Sequence, residues 1–600
     1  MNMKNCKYII AFVLAIAILP GCTKNFLQRD PQTEITAATF FNTPQDLQTY
    51  SNGFYKQLVV SSDDLNSDNI SSFSGGGYTD ALVRGSISPA NVGGWADWSN
   101  LRSINFMFDH VGTVVGDTGS INHYIGIGRF FRAMFYINKV KSYSDVPWYS
   151  TAVAAGDSSL YKPADPRAMV TDSILADLQY AVDHIKPDMG DGTRINKWSA
   201  LQLMARYCLH EGTYREYHPE INLTNDYQRW LNKAVWAAQQ IMASGNFAIT
   251  GTGGAGYRAL FTSTSLNGNK EIIQWANYNQ ALGVGNNTHT VLGWEWSLSR
   301  SLEESYLMTD GTTFNSHPGY DTLPFVKVFI NRDPRMAEAI AYPGYAPNND
   351  GKPYIPKPNL GCYDQLKFYP RDPALRQGWV EDYTALPVFR YAETLLILAE
   401  AKAELGAITQ QDLDNTVNVI RDRVQMPHLN AASASANIDP ALVAYYPKVT
   451  GPNTGVILEI RRERRVELAC EGLRHDDLER WYAGKRFQDS QQGMYVAALG
   501  GIDVTGDGVD DIAILASPND ESPIAGLPDS VKNNISKFYL QDAGGKNNNF
   551  YLDNGTFGHI AFSVDRDQPR NFIEPKYYYM PIPLTQLVLN PALKQPYGWQ

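Results

Sequence analysis

Apolar residues recur at three- and four-residue intervals over six early stretches, 40–58, 98–115, 124–143, 170–185, 197–218 and 227–244. That spacing predicts amphipathic helices. The last stretch stops at Gly245, which suits a helix C-cap. A Pro/Gly/Asp turn at 187–192 separates two of the stretches, so they predict a helical hairpin. From Gly251 the helical period fades, and Gly, Asn, Ser and Pro become frequent. It returns at 387–405 and 457–481, then fades again from about 488 to 571, where 512–515 reads as a strand. The pattern predicts a mostly α-helical protein. Its helical scaffold covers about 40–245 and 387–485, and loop-rich lobes occupy about 246–386 and 486–572.

The two later helical stretches carry charge on faces that a helix would bury. On a wheel of about 100° per residue, Glu393, Glu400 and Glu404 form one stripe, and Leu395, Leu396, Leu398 and Ala399 cover most of the rest. In the second stretch Arg461, Arg464 and Arg465 share the apolar side with Ile457 and Leu468. Charges within an apolar stripe must pair or snorkel. Glu393 or Glu400 is therefore expected to pair with Arg461, Arg464 or Arg465 across the helices. Carboxylates facing guanidiniums stay ionised, whereas a general acid needs a raised pKa, so these charges read as structural.

Residues 1–21 form a separate unit. Lys4 and Lys7 precede an apolar run at 8–19, too short to span a bilayer and typical of a signal peptide. Leu19-Pro20-Gly21-Cys22 then reads as a lipobox, which makes Cys22 the lipidation site and lipid the anchor. A formal net charge of −11 with no basic run argues against a nucleic-acid partner. Cys208, Cys362 and Cys470 are widely spaced and odd in number, so they suggest neither a disulfide framework nor a CxxC metal site. Gly251–Gly256 fits GxGxxG, but it follows a helix rather than the first strand of a βαβ unit, so no nucleotide site is expected. HExxH and GxSxG are absent. The chain reads as a non-enzyme that requires no cofactor.

Phe389-Arg390-Tyr391-Ala392-Glu393 through Ala399-Glu400-Ala401, and Arg462-Glu463-Arg464-Arg465-Val466-Glu467-Leu468 followed by Glu471-Gly472-Leu473-Arg474, resemble the two signature helices of the SusD/RagB family. Arg129-Phe130-Phe131-Arg132-Ala133 through Val146-Pro147-Trp148 is similar to a third family stretch, with Ser144 where glycine is usual. Arg332-Asp333-Pro334-Arg335-Met336 and the close of the chain, from Tyr577 to Trp599, resemble two more. The resemblance covers nearly all of 22–600. It implies a tetratricopeptide-like scaffold and a lipoprotein anchored in the outer membrane, facing the cell surface. It also implies capture of an oligosaccharide or polysaccharide and delivery to a SusC-like TonB-dependent transporter. A peptide-binding relative is the alternative, and a secreted glycoside hydrolase, which would need a close carboxylate pair, is the third.

A saccharide site needs exposed aromatic faces beside amides and charged groups. Aromatic content of 12% is rich enough to supply them. The stretch 71–100 offers Tyr78, Arg84, Trp95, Trp98 and Asn100 among glycines. In the second lobe Trp294 and Trp296 alternate around Glu295, which would put both on one face of a strand, and Tyr320 follows in a Pro-Gly turn. Asp503, Thr505, Asp507, the Val509 carbonyl and Asp511 are spaced like the opening of an EF-hand loop with Gly508 at its sixth position, which reads either as a structural calcium site or as a solvated Asp/Gly turn. Ile514 stands where that loop carries its bidentate glutamate.

Overall fold

The computed structural model describes residues 40–72, 77–95, 97–154, 156–348 and 350–599. Among them, every helix of twelve or more residues belongs to one scaffold. These are α1 (Ser99–His110), α2 (Thr118–Tyr143), α3 (Arg167–His184), α4 (Lys197–Tyr217), α5 (Tyr227–Ala243), α6 (Tyr391–Glu404) and α7 (Thr454–Glu467). The protein is mostly α, with a tetratricopeptide-like scaffold of antiparallel helices and irregular lobes. None of its described helices is long and apolar enough to cross a membrane.

Local chemistry sets the helix ends. Asp117 caps α2 by accepting the Ser120 amide at 2.7 Å, and Asn196 caps α4 by accepting those of Trp198 and Ser199. At the end of α2, Ser144 holds φ +65°, a conformation that favours glycine and explains the family's usual residue there. Between α4 and α5, a Cβ on Gly212 would lie 2.7 Å from a Leu231 methyl and 3.1 Å from the Leu231 backbone nitrogen. Only glycine permits that approach.

Three boundaries differ from the periodicity. The 40–58 stretch is α-helical only over Pro44–Ser51 and continues as a 3-10 turn, Asn52–Gln57. The 387–405 stretch opens as a strand, Leu386–Arg390, because Ile272–Ala276 pairs with it antiparallel, and α6 starts only at Tyr391. The 457–481 stretch breaks after α7, where Cys470 and Gly472 hold φ +65° and +72°, and resumes as Arg474–Arg480.

Two large cores result. The first joins the scaffold helices to the C-terminal aromatics Tyr577, Tyr578, Tyr579 and Trp599. The second fills the lobes, where Gln492–Val496, Gly558–Phe562 and Phe550–Leu552 form one antiparallel sheet. Ile512–Leu515 is a strand, as its apolar run implies, and pairs with Gly500–Ile502 and Ser536–Tyr539. Helix α7 serves both cores: Val456, Ile457, Leu458 and Ile460 enter the first, and Val466 enters the second.

The same helix is the hub of a buried ionic network. Glu467 accepts from Arg335 at 2.9 Å, from Arg390 at 2.7 Å and from Arg423. Glu463 accepts from Arg335 at 2.6 Å and from Arg421 at 2.7 Å. Burial alone would raise the Glu467 carboxyl, but the Arg423, Arg390 and Arg335 guanidiniums outweigh it and hold the group well below the ordinary range. Glu463 and Glu471 are likewise lowered by their cations against the cost of burial.

The expected helix-to-helix pairs take other partners. Glu393 accepts a bidentate contact from Arg206 of α4, both bonds at 2.6 Å, and Glu400 accepts from Arg480 and from the Trp481 indole at 2.7 Å. The remaining member of the stripe, Glu404, is the one that accepts from Arg461, at 3.0 Å. Arg464 turns to Asp477 and Arg465 to Asn69, both at 2.8 Å. A wheel fixes which face a charge occupies, not which of several neighbours covers that face.

Candidate functional site

Two loops of the lobe between α5 and α6 bring exposed indoles together. Trp294 and Trp379 are 54% and 67% exposed, and their ring centroids lie 6.4 Å apart at 44°. The loops are joined below the rings. Asn286 and Asp382 exchange backbone hydrogen bonds of 2.9 and 3.2 Å. The buried Asp382 carboxylate accepts from the His289 amide at 2.6 Å and contacts the His289 ring at 2.7 Å. Gln280 donates to Gln377 at 3.1 Å, and the Val380 amide donates to Asn287 Oδ1 at 2.5 Å.

Backbone strain marks the same place. Val380 holds φ +61°, an outlier for a β-branched residue, and such strain gathers at ligand sites. On the other loop Gly293 has φ +64°, and a Cβ there would lie 2.0 Å from the Tyr354 hydroxyl. Tyr354 donates to Asp364 at 3.1 Å, and burial, then the Asp364 charge, push its phenol up, so it stays a neutral donor. Ser72 reaches the Glu295 carbonyl at 3.3 Å, which brings the 71–72 strand end to this face. The glycine loop at 73–76 lies outside the described residues, as does Cys22. The arrangement offers two apolar faces with amides and the Glu381 carboxylate alongside. It fits a ligand with C–H faces and many hydroxyls.

The sequence candidates divide. Trp294 belongs to this platform. Trp296 does not share its face, because the strand begins only at Ser297; its half-buried ring packs on the lobe core and donates to Gln365 at 3.2 Å. Trp95 is a core residue, 5% exposed, in edge contact with Tyr143 at 4.9 Å and Trp98 at 5.6 Å. Trp98 is half-buried against Phe135, Tyr136 and Tyr149. Both line a largely apolar cavity of about 510 Å³ on the scaffold, whereas Asn100, in the first turn of α1, does not line it. Arg84 is committed to structure: it pairs with Asp80 at 2.8 Å and Asp565 at 2.5 Å, and donates to the Val564 carbonyl at 2.9 Å. Tyr78 is half-buried in a different cavity of about 290 Å³. Tyr320 sits edge-on to Phe314 and lines two cavities, one of mixed polarity of about 730 Å³ and one polar of about 330 Å³.

Trp379 was missed by the spacing argument, because its partner is 85 positions away in the chain. A signal was present: a lone tryptophan in the polar stretch Arg376-Gln377-Gly378-Trp379, with no apolar period for it to join.

The Asp503–Asp511 loop is held by its own amides. Asp503 accepts from Thr505, Gly506 and Gly508, Asp507 from Val509, and Asp511 from Val504 and Thr505. These aspartates do not form a cluster of three donor atoms within 4.8 Å; among the described residues only His475, Asp476 and Glu479 do. The GxGxxG segment serves packing: Gly251, at φ +78°, abuts Gly256 where the short helix Gly253–Thr262 begins.

Comparison with known proteins places the molecule. The model of the SusD family matches residues 259–599. Two SusD-like proteins of Formosa agariphila are each 23% identical, over 523 and 514 residues, which is 80% of this chain and 91% and 92% of theirs. Two solved structures from Bacteroides fragilis share the fold at 20% identity. A SusD-like protein covers 95% of this chain and 100% of its own, with a TM-score of 0.67. A SusD-like carbohydrate binding protein covers 93% and 100%, with a TM-score of 0.65. A laminarin binding SusD-like protein is 16% identical over 93% of this chain and 100% of its own, with a TM-score of 0.55.

Proposed function

The chain belongs to the SusD family, and from that premise we propose that it captures a saccharide on the Trp294–Trp379 platform. The observation that carries the reading is two solvent-exposed indoles on loops that are hydrogen-bonded to each other through Asn286 and Asp382. Exposing large apolar rings to water is unfavourable, and a fixed pair of them suits the C–H faces of consecutive sugar rings. The neighbouring amides of Gln280, Gln377 and Asn287 supply donors and acceptors for hydroxyls. Carbohydrate binding by a structural relative supports the same reading.

The wider role follows from it. Cys22 carries a lipid anchor that holds the protein at the outer-membrane surface, and the loaded protein hands its saccharide to a TonB-dependent transporter. Capture and delivery need no bond-making step, so the protein acts as a binder. A panel of purified polysaccharides and a peptide pool, presented to the soluble protein in affinity gels, tests the reading. Retardation by at least one polysaccharide and by no peptide is expected; retention by peptides alone overturns it.

A further inference from the structure

The short helix Arg474–Arg480 faces the cavity of about 290 Å³, whose other walls include the end of α2, the helix Gly77–Val83 and residues 577–580. His475 and Glu479 stand four residues apart and so share one helix face; His475 Nδ1 lies 3.6 Å from Glu479 Oε2. Asp476 adds a second carboxylate, and one donor atom from each of the three lies within 4.8 Å of the others. All three side chains are half-buried, open enough for an ion to reach.

A second, independent feature points into the same cavity. Thr79 is 6% exposed and lines it, and its hydroxyl has no hydrogen-bond partner. The Tyr78 hydroxyl beside it is buried and unpartnered as well. Buried hydroxyls are normally satisfied; two unpartnered ones on residues that line one cavity of mixed polarity stand out.

We propose that this cavity binds a divalent cation of the zinc class through His475, Asp476 and Glu479. An imidazole nitrogen with two carboxylates suits zinc and its neighbours in the transition series. Calcium prefers six to eight oxygens. Lys141 pairs with the Asp476 carboxylate at the edge of the cluster.

Isothermal titration of chelator-treated protein with zinc alone tests this. One ion per chain is expected, and His475→Ala and Glu479→Gln should each weaken binding by at least about tenfold, the lower end of what losing even an outer-shell partner costs. Glu479→Gln preserves shape, so its melting temperature in chelator should equal that of the wild type. Substitution with cobalt(II) should give a d–d absorption band that His475→Ala alters. No binding, or equal affinity in all three proteins, overturns the site.

Discussion

Trp95 and Trp379 show how the same residue type takes opposite roles. Trp95 is enclosed by Tyr143 and Trp98, and Lys139 donates to its carbonyl at 3.2 Å. Trp379 lies open on a loop whose next residue, Val380, is held at φ +61°. Removing a buried aromatic costs on the order of 3–5 kcal/mol. Trp95→Ala should therefore lower the melting temperature sharply and leave the affinity of the folded fraction unchanged; loss of binding at an unchanged melting temperature would return Trp95 to the ligand site. The sequence distinguishes such residues only through their surroundings. Apolar neighbours at helical spacing on both sides mark Trp98 as core-facing, whereas the polar run around Trp379 offers no core to join. Nothing local says that Trp294 would come to meet it.

At the scale of elements, α7 joins the two cores and its carboxylates hold the arginines of the lobes. Glu467 receives three guanidiniums, and its folded-state value lies below the ordinary glutamate value of 4.5. Between those two values the unfolded chain holds more protons than the folded one, so stability rises with pH there and is lost as pH falls. Glu467→Gln should cost on the order of 3–5 kcal/mol at neutral pH. The gap between wild type and variant should shrink as pH falls below about 4.5, which melting curves from pH 7 to 3 would follow; a constant gap would mean that Glu467 is not ionised in the fold. Periodicity made α7 legible as an element that buries charge, because Arg461, Arg464 and Arg465 fall on its apolar side. Their partners were not legible, because α4 packs on α6 as well and Arg480 and Trp481 reach Glu400 from outside α7. The Asp503–Asp511 loop is a second element-scale case. If calcium binds it, the ion should raise the melting temperature through local folding energy, and Asp507→Ala should abolish the rise; equal curves in calcium and in chelator would leave the loop to its own amides.

Across the whole molecule, the mostly helical scaffold was readable from apolar spacing, since long amphipathic helices repeat one pattern over many residues. The lobes were readable only as departures from that pattern, because their strands are short and some pair with partners far along the chain, as Ile70–Ser71 does with Ser297–Leu298. Anchoring is testable at this scale: Cys22→Ala should shift the protein from the membrane fraction to the soluble one, and unchanged membrane association would rule out acylation as the anchor. The most direct test of saccharide capture compares the wild type with Trp379→Ala by titration with the polysaccharide that the affinity gels identify. Losing one exposed indole from the platform should cost on the order of 2 kcal/mol of binding, about thirtyfold, with the melting temperature unchanged. Wild-type affinity in Trp379→Ala, and again in the Trp294→Ala/Trp379→Ala double variant, would contradict the proposed site.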